Sequence, residues 1–388
     1  MTHQIDNLNI HAFRQLKHVE LRNLGRVNLL VGVNNSGKTS VLEAIAAHCR
    51  PLDPLEWIAI ARQREVKSSR EPALDAVRWL FPQHGAEPED PYYQGQVRIE
   101  GSGRYLNLET CARYEGIIAA PDDDDGSYSA NDDDDEEESS ESSTSTNLPP
   151  ESQERGANVS LKARVPADRW LEFEANHNGV CNEQFRLWEN KRYVSHAAPS
   201  KLRLPVATIS PFAHRVRQLQ VSKLTEATLT GQKFNVIEVV RHLDSDVEDL
   251  EILSRSGIRP TLYVRHRITG FTPLSALGDG VRRVMVIALN LSSVQHGALL
   301  IDEIEAAIHK DALTTVFQWL VRACKHFDVQ LFATTHSLEA IDALLTAQID
   351  DPSEVVAFHL PECGEGTIKR FEGDILDNLR FERGLDIR

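Results

Sequence analysis

Four short segments of this 388-residue chain carry residue types that could handle a polyphosphate. The first, Gly32-Val33-Asn34-Asn35-Ser36-Gly37-Lys38-Thr39, has the spacing G-x4-G-K-T. Gly32 and Gly37 permit a tight backbone path that a Cβ would block, so successive N–H groups can converge on phosphate oxygens. Lys38 offers a mobile point charge for β- and γ-phosphates, and the Thr39 hydroxyl can ligate Mg²⁺. Asn34, Asn35, Ser36, Gly37, Lys38, Thr39 and Ser40 are therefore the expected phosphate-binding residues.

Leu299-Leu300-Ile301-Asp302-Glu303 sets two carboxylates directly after an apolar run. Successive side chains leave a strand in different directions, so Asp302 can hold Mg²⁺ while Glu303 orients or deprotonates an attacking water. Glu305, two residues on, reads equally as an acidic residue at a helix start. Thr334-Thr335-His336-Ser337 follows another apolar run, Val329 to Ala333. A neutral His336 imidazole there can hydrogen-bond the terminal phosphate or place the water. Leu277-Gly278-Asp279-Gly280 precedes a helical pattern, Val284 to Leu291, and reads as a second anion cradle. Because one nucleotide is already held at Lys38, Gly278, Asp279 and Gly280 are expected to complete the site of a second copy in a two-fold dimer.

These residues need a scaffold of strand ends. Val27 to Val31 is an apolar strand running into the first glycine loop, and Ser40 to His48 is a helical pattern behind it. Ala298 to Ile301 and Val329 to Ala333 suit buried parallel strands, and α/β sheets bind ligands at such C-terminal ends. Ile5 to Phe13 and Leu16 to Leu21 alternate as a hairpin. A β-rich stretch runs from about Gln96 to Tyr114 and again from about Val159 to Tyr193. Pro211 to Leu243 is helical, followed by strands at Leu250 to Leu253 and Thr261 to His266, with a further strand at Val355 to Leu360. The expected fold is an α/β P-loop NTPase with a central, mostly parallel sheet, an antiparallel β subdomain and a helical insertion. Its expected boundaries are 1–120, with the glycine loop and part of the β subdomain; 121–155, an acidic insertion; 156–200, the rest of the β subdomain; 201–270, a helical and strand insertion; and 271–388, with the remaining site segments.

Composition sets the outer limits. With 41% hydrophobic residues the chain has ample core material. Its net charge of −16 would oppose contact with nucleic acid if evenly spread. It is not: twelve carboxylates and no Lys or Arg lie between Pro121 and Glu141, leaving the rest at about −4. That segment cannot bury enough apolar surface to offset its ordering entropy and is predicted to be a disordered, solvated insertion. Arg215, Arg217, Lys223, Arg255, Arg259, Arg265 and Arg267 make the middle region basic, which suits phosphate contact or exposed cationic faces. Five cysteines without a C-x-x-C pair suggest neither a disulfide framework nor a zinc site. No apolar run approaches the roughly 18 residues of a membrane span and the N-terminus lacks a signal pattern. A cytoplasmic protein without membrane contact is expected.

The order of the four segments resembles Walker A, signature, Walker B and switch histidine in ABC-type ATPase heads of the SMC/RecF/OLD group. Phe13-Arg14 ahead of the glycine loop, Val41-Leu42-Glu43-Ala44-Ile45 after it, and Ile301-Asp302-Glu303-Ile304-Glu305 with His309 are similar to OLD-like AAA ATPases without a fused Toprim domain. The resemblance covers about residues 1–50 and 270–388. It implies ATP and Mg²⁺ as cofactors, hydrolysis to ADP and phosphate, and a homodimer or higher even oligomer. Several members of the group work with a Toprim nuclease, fused or separately encoded, in DNA repair or defence against phage. Only 52 residues follow His336, so the expected partner is a separately encoded nuclease or other effector, with direct DNA contact also open. The other reading is a RecF-like ATPase that clamps DNA without a nuclease. Gly278-Asp279 stands where many ABC proteins have Ser-Gly, so a hydroxyl contact is missing and slow turnover is expected. No long heptad segment marks an SMC arm, and Gln94, Gln96 and Gln218 are the candidates for a Q-loop glutamine.

Overall fold

The computed structural model describes residues 3–64, 72–83, 90–105, 107–119, 127–129, 154–169, 171–176, 178–193, 200–215, 217–254, 260–347, 354–362 and 367–383. Most of the acidic stretch expected to be disordered lies outside these residues.

A hairpin, β1 (Asn7–Phe13) and β2 (Leu16–Leu21), opens the chain. β3 (Val27–Val31) buries all five of its side chains and turns through the glycine loop into α1 (Lys38–Cys49). Helices α2 (Pro54–Arg62) and α3 (Leu74–Arg78) lead to the strands β4 (Gln94–Ser102), β5 (Leu108–Ala119), β6 (Ser127–Ser129), β7 (Glu154–Arg164), β8 (Val180–Trp188) and β9 (Lys191–Tyr193). Next come β10 (Val206–Ile209), α4 (Arg217–Leu229), α5 (Lys233–Arg241), β11 (Val247–Leu253), β12 (Thr261–His266) and β13 (Gly270–Pro273). The chain then alternates through α6 (Asp279–Ser293), β14 (Ala298–Ile301), α7 (Lys310–His326), β15 (Gln330–Thr334), α8 (Leu338–Thr346), β16 (Val355–His359), β17 (Lys369–Glu372) and α9 (Gly373–Asp377).

Six strands form the central sheet in the order β10-β14-β15-β3-β16-β17, parallel except for β17. Each interior strand is apolar on both faces because each face has its own core. Leu30, Leu300, Phe332, Val356 and Phe358 join one core with α1 and the antiparallel sheet. Leu29, Val31, Leu299, Ile301, Leu331 and Ala333 join the other, with α6, α7 and α8. Fully burying each such side chain contributes about 1.5–3 kcal/mol, so strand register is strongly fixed.

α1 is buried from Ser40 to Cys49, wrapped on every side. Two polar residues ride inside it. Glu43 is fully buried and takes paired hydrogen bonds from Arg14 (2.7 and 3.2 Å) and Arg64 (2.7 and 2.8 Å). His48 packs under the antiparallel sheet with Nδ1 3.1 Å from Thr110 Oγ1. That sheet has the order β2-β1-β4-β5-β7-β8-β9-β6. β6 falls within the stretch expected to be a disordered insertion, and pairs with β9.

The main departure from expectation is β10. Residues 201–270 read as an insertion, yet Val206–Ile209 pairs in parallel with β14 at the edge of the central sheet. The central sheet therefore resumes at about residue 206, before the α4–β13 excursion. Among the described residues no helix is long and apolar enough to cross a membrane.

Candidate nucleotide site

The glycine loop has the shape its residues demand. Gly32 has φ +148°, and a Cβ there would lie 2.7 Å from the Leu360 carbonyl oxygen. Gly37, with φ +88°, caps α1; no side chain caps that helix and no acidic residue sits in its first turn. Its first N–H groups are thus left for an anion. Asn35 takes the left-handed conformation (φ 64°) that asparagine tolerates better than most residues. The Ser36 Oγ is buried without a hydrogen-bond partner among the described residues. Lys38 folds back so that its Nζ donates to the Gly32 and Val33 carbonyls, each at 2.8 Å. Burial pulls the Lys38 ammonium below the usual lysine range, opposed by the carboxylates of Asp302, Glu303 and Glu305. An orphan hydroxyl, an uncapped helix start and a cation held only by carbonyls are what a polyphosphate would satisfy.

Asp302 is where three segments meet. Its carboxylate accepts from Thr39 Oγ1 at 3.1 and 3.2 Å and from Thr334 Oγ1 at 2.6 Å. A carboxylate beside the Thr39 hydroxyl is an all-oxygen pair suited to a hard cation such as Mg²⁺. Just past β14, Glu303 adopts φ 48°, uncommon for a non-glycine residue. Its N–H donates to Thr334 Oγ1 at 2.8 Å, and its carbonyl accepts from Arg283 Nη2 at 3.1 Å. The Thr334 hydroxyl thereby serves both members of the acidic pair.

His336 follows directly after Thr335 with its side chain 57% exposed. It does not cap α8: Ser337 does, its Oγ accepting from the Ala340 N–H at 3.2 Å. The His336 Nδ1 lies 3.7 Å from Glu305 Oε1. Glu305, which in sequence reads equally as a helix-start acid, sits instead in the turn after β14. Both its carboxylate oxygens are buried with no hydrogen-bond partner among the described residues. Only its two-residue spacing from Glu303 hinted at it.

The signature segment is not a glycine turn. Gly278 is the N-cap of α6 with φ −59°, while Asp279 and Gly280 already belong to its first turn. Neither glycine needs positive φ, and a Cβ on Gly278 would meet nothing within 4 Å. The Asp279 carboxylate pairs with Arg282 and with Arg215 (3.2 Å), and lies 3.6 Å from His214 Nε2. Its hydrogen bond with Arg282 leads in holding the Asp279 carboxyl below the usual carboxylate range. The acid in the expected anion cradle is thus matched by neighbouring cations. The signature links run to these cations, and through Arg283 to the Walker B turn.

None of the three Q-loop candidates stands at the end of a central strand. Gln94 and Gln96 lie on β4 and Gln218 on α4. The loop beside the Walker B turn is the one after β10, Ser210 to Arg215, which contains no glutamine. A cleft of about 690 Å³ between α2, β10 and α6 shares no residue with the glycine loop. Asp244, Asp246 and His266 are the other group, among the described residues, close enough to hold a cation. His266 Nδ1, however, accepts from the Ile268 and Thr269 N–H groups at 3.2 and 3.3 Å. The ring proton is then on Nε2, facing Asp244 at 3.4 Å, which disfavours ligation.

Comparison with known proteins gives the family. Residues 27–342 match the family described as AAA domain, putative AbiEii toxin, Type IV TA system. An uncharacterized protein of Methanocaldococcus jannaschii, MJECL11, is 36% identical over 115 residues, 29% of this chain and 99% of that one. The DNA replication and repair protein RecF of Nitrosococcus oceani is 58% identical over 41 residues, 11% of each chain. The Smc head domain of Pyrococcus furiosus, solved with an extended coiled coil and bound to the C-terminal domain of ScpA, superposes with a TM-score of 0.44 at 11% identity, covering 99% of this chain and 100% of that one. With the family match spanning most of the chain, the protein belongs to this AAA-domain family and is an ATPase.

Proposed function

We propose that the chain is the ATP-hydrolysing subunit of a nucleotide-gated homodimer that controls a separately encoded effector, a Toprim-type or other nuclease, in bacterial DNA maintenance or phage defence. The observation that carries this reading is the convergence on Asp302 of hydroxyls from the glycine-loop helix and from the strand before His336. In it, Lys38 and the N–H groups of Asn34 to Ser40 hold the phosphates, and Thr39 and Asp302 hold Mg²⁺. Bound Mg²⁺ would neutralise charge on the transferred phosphoryl group. Glu303 orients or deprotonates the water, and His336 senses the terminal phosphate. Gly278, Asp279 and Gly280 face the partner's nucleotide, a role supported by the exposed N-cap Gly278 and the half-buried first residues of α6. The family's description as a putative toxin of a toxin–antitoxin system favours defence and action in the cytoplasm. The RecF match favours a second reading, a DNA clamp acting without a nuclease.

Mixing two inactive variants tests the composite site. Lys38→Ala and Gly280→Asp subunits in equal amounts are expected to regain part of the wild-type ATPase rate, because one of the two sites in a mixed dimer is intact. No recovery in a mixture shown to contain heterodimer contradicts the shared site. A co-expressed neighbouring nuclease whose DNA cleavage depends on ATP and on this chain would favour the first reading over the clamp.

A further inference from the structure

Among the described residues Arg283 is one of the largest wholly buried side chains, and it has no carboxylate within hydrogen-bond reach. A buried guanidinium is costly unless its donors are used. Here the two Nη groups go to three backbone carbonyls, Ser210 after β10 through Nη1, and Asp302 (3.0 Å) and Glu303 (3.1 Å) through Nη2, while Nε is buried with no hydrogen-bond partner among the described residues. The two acidic residues lie beyond the last ladder position of β14, where the backbone turns at the Glu303 φ of 48° and no strand partner serves their carbonyls. A left-handed non-glycine residue persists only where its surroundings over-determine it. Thr334 holds the N–H side of that turn, and on the carbonyl side Arg283 shares the Glu303 oxygen with the Ala306 N–H (2.9 Å) and also holds the Asp302 carbonyl. Arg283 also stands four residues after Asp279, about one helical turn from the start of α6. One rigid fork therefore joins the signature helix, the loop after β10 and the Walker B turn.

We propose that Arg283 is a positioning residue for hydrolysis: it fixes the backbone that aims Glu303 and ties that backbone to the helix expected to meet the partner's nucleotide. The inference rests on the assignment of Glu303 above. It uses the fork of the guanidinium, whose two separated Nη groups reach the loop after β10 on one side and the Walker B turn on the other, a spacing that a single ammonium nitrogen lacks. ATP is held by other residues, so turnover and affinity should separate.

The test compares Arg283→Met, Arg283→Lys and Glu303→Gln in single-turnover ATP hydrolysis and in titration with a fluorescent ATP analogue. Both Arg283 variants are expected to bind the analogue within about threefold of wild type, with hydrolysis lowered about 10²-fold in Arg283→Met and at least about tenfold in Arg283→Lys. If Arg283→Met does not fold, Arg283→Lys, which keeps the charge and most of the stem, decides alone. Wild-type hydrolysis in a folded Arg283 variant while Glu303→Gln is inactive overturns the positioning role only. Wild-type hydrolysis in Glu303→Gln overturns the assignment of Glu303 itself, and with it this inference. Loss of affinity in proportion to loss of hydrolysis would make Arg283 a general structural residue and also overturn the proposal.

Discussion

The hydroxyl of Thr334 donates to Asp302 Oδ1 at 2.6 Å, so the strand that leads to His336 also sets the angle of the Walker B carboxylate. The same oxygen accepts the Glu303 N–H. Thr334→Val keeps the shape and removes the hydroxyl, leaving that N–H without its acceptor at a position 1% exposed. A loss of about 1–3 kcal/mol in urea unfolding is expected, with slower ATP turnover. Thr334→Ser should retain both. An unchanged unfolding midpoint and rate in Thr334→Val would show that the shared hydroxyl is idle.

Gly32 tests the loop itself. In Gly32→Ala the new methyl would meet the Leu360 carbonyl at 2.7 Å, a backbone atom just past the end of β16, at a φ that disfavours a side chain. The expected outcome is a stability loss of about 1–3 kcal/mol and binding of a fluorescent ATP analogue weakened at least about tenfold. Wild-type affinity in this variant would mean that the loop does not need its tight path.

His48 gives the chain a defined acid sensitivity. Burial depresses its imidazole from the usual 6.5 to about 4 in the folded state. Between those two values the unfolded chain binds the proton and the folded chain resists it, so stability falls as pH drops through that window and is flat above it for this group. The loss reaches about 3 kcal/mol at pH 4. Urea midpoints between pH 7 and pH 4.5 should therefore decline less steeply in His48→Gln than in wild type. Equal slopes would remove His48 as the source.

Much of this architecture is legible in the residues because the central strands are buried on both faces. β3, β14 and β15 announce themselves as largely apolar runs, interrupted only by Asn28 in β3 and Gln330 at the start of β15, that lead into chemistry-bearing residues. β10 does not: Val206-Ala207-Thr208-Ile209 is four residues long, lies on a sheet edge and carries a threonine, so it blends into the insertion around it. The loop after β10 escapes a search for glutamine because its place beside the Walker B turn comes from that edge strand and not from a residue type. Arg283 carries no signal of its own in Val281-Arg282-Arg283, since sequence shows charge but not the three carbonyls its Nη groups meet inside. Gly278 and Gly280 suggest a turn, whereas the chain uses them at a helix start with a nearby Arg pair balancing Asp279.

The central claim is that two copies of this chain close around ATP. Sedimentation equilibrium of Glu303→Gln, which should bind ATP and hydrolyse it about 10²–10⁴-fold more slowly than wild type, tests it most directly. Saturating ATP with Mg²⁺ is expected to shift the population toward twice the mass seen without nucleotide, and Gly280→Asp in the same background should abolish the shift. A single mass, unchanged by saturating ATP in a variant shown to bind it, would contradict the account.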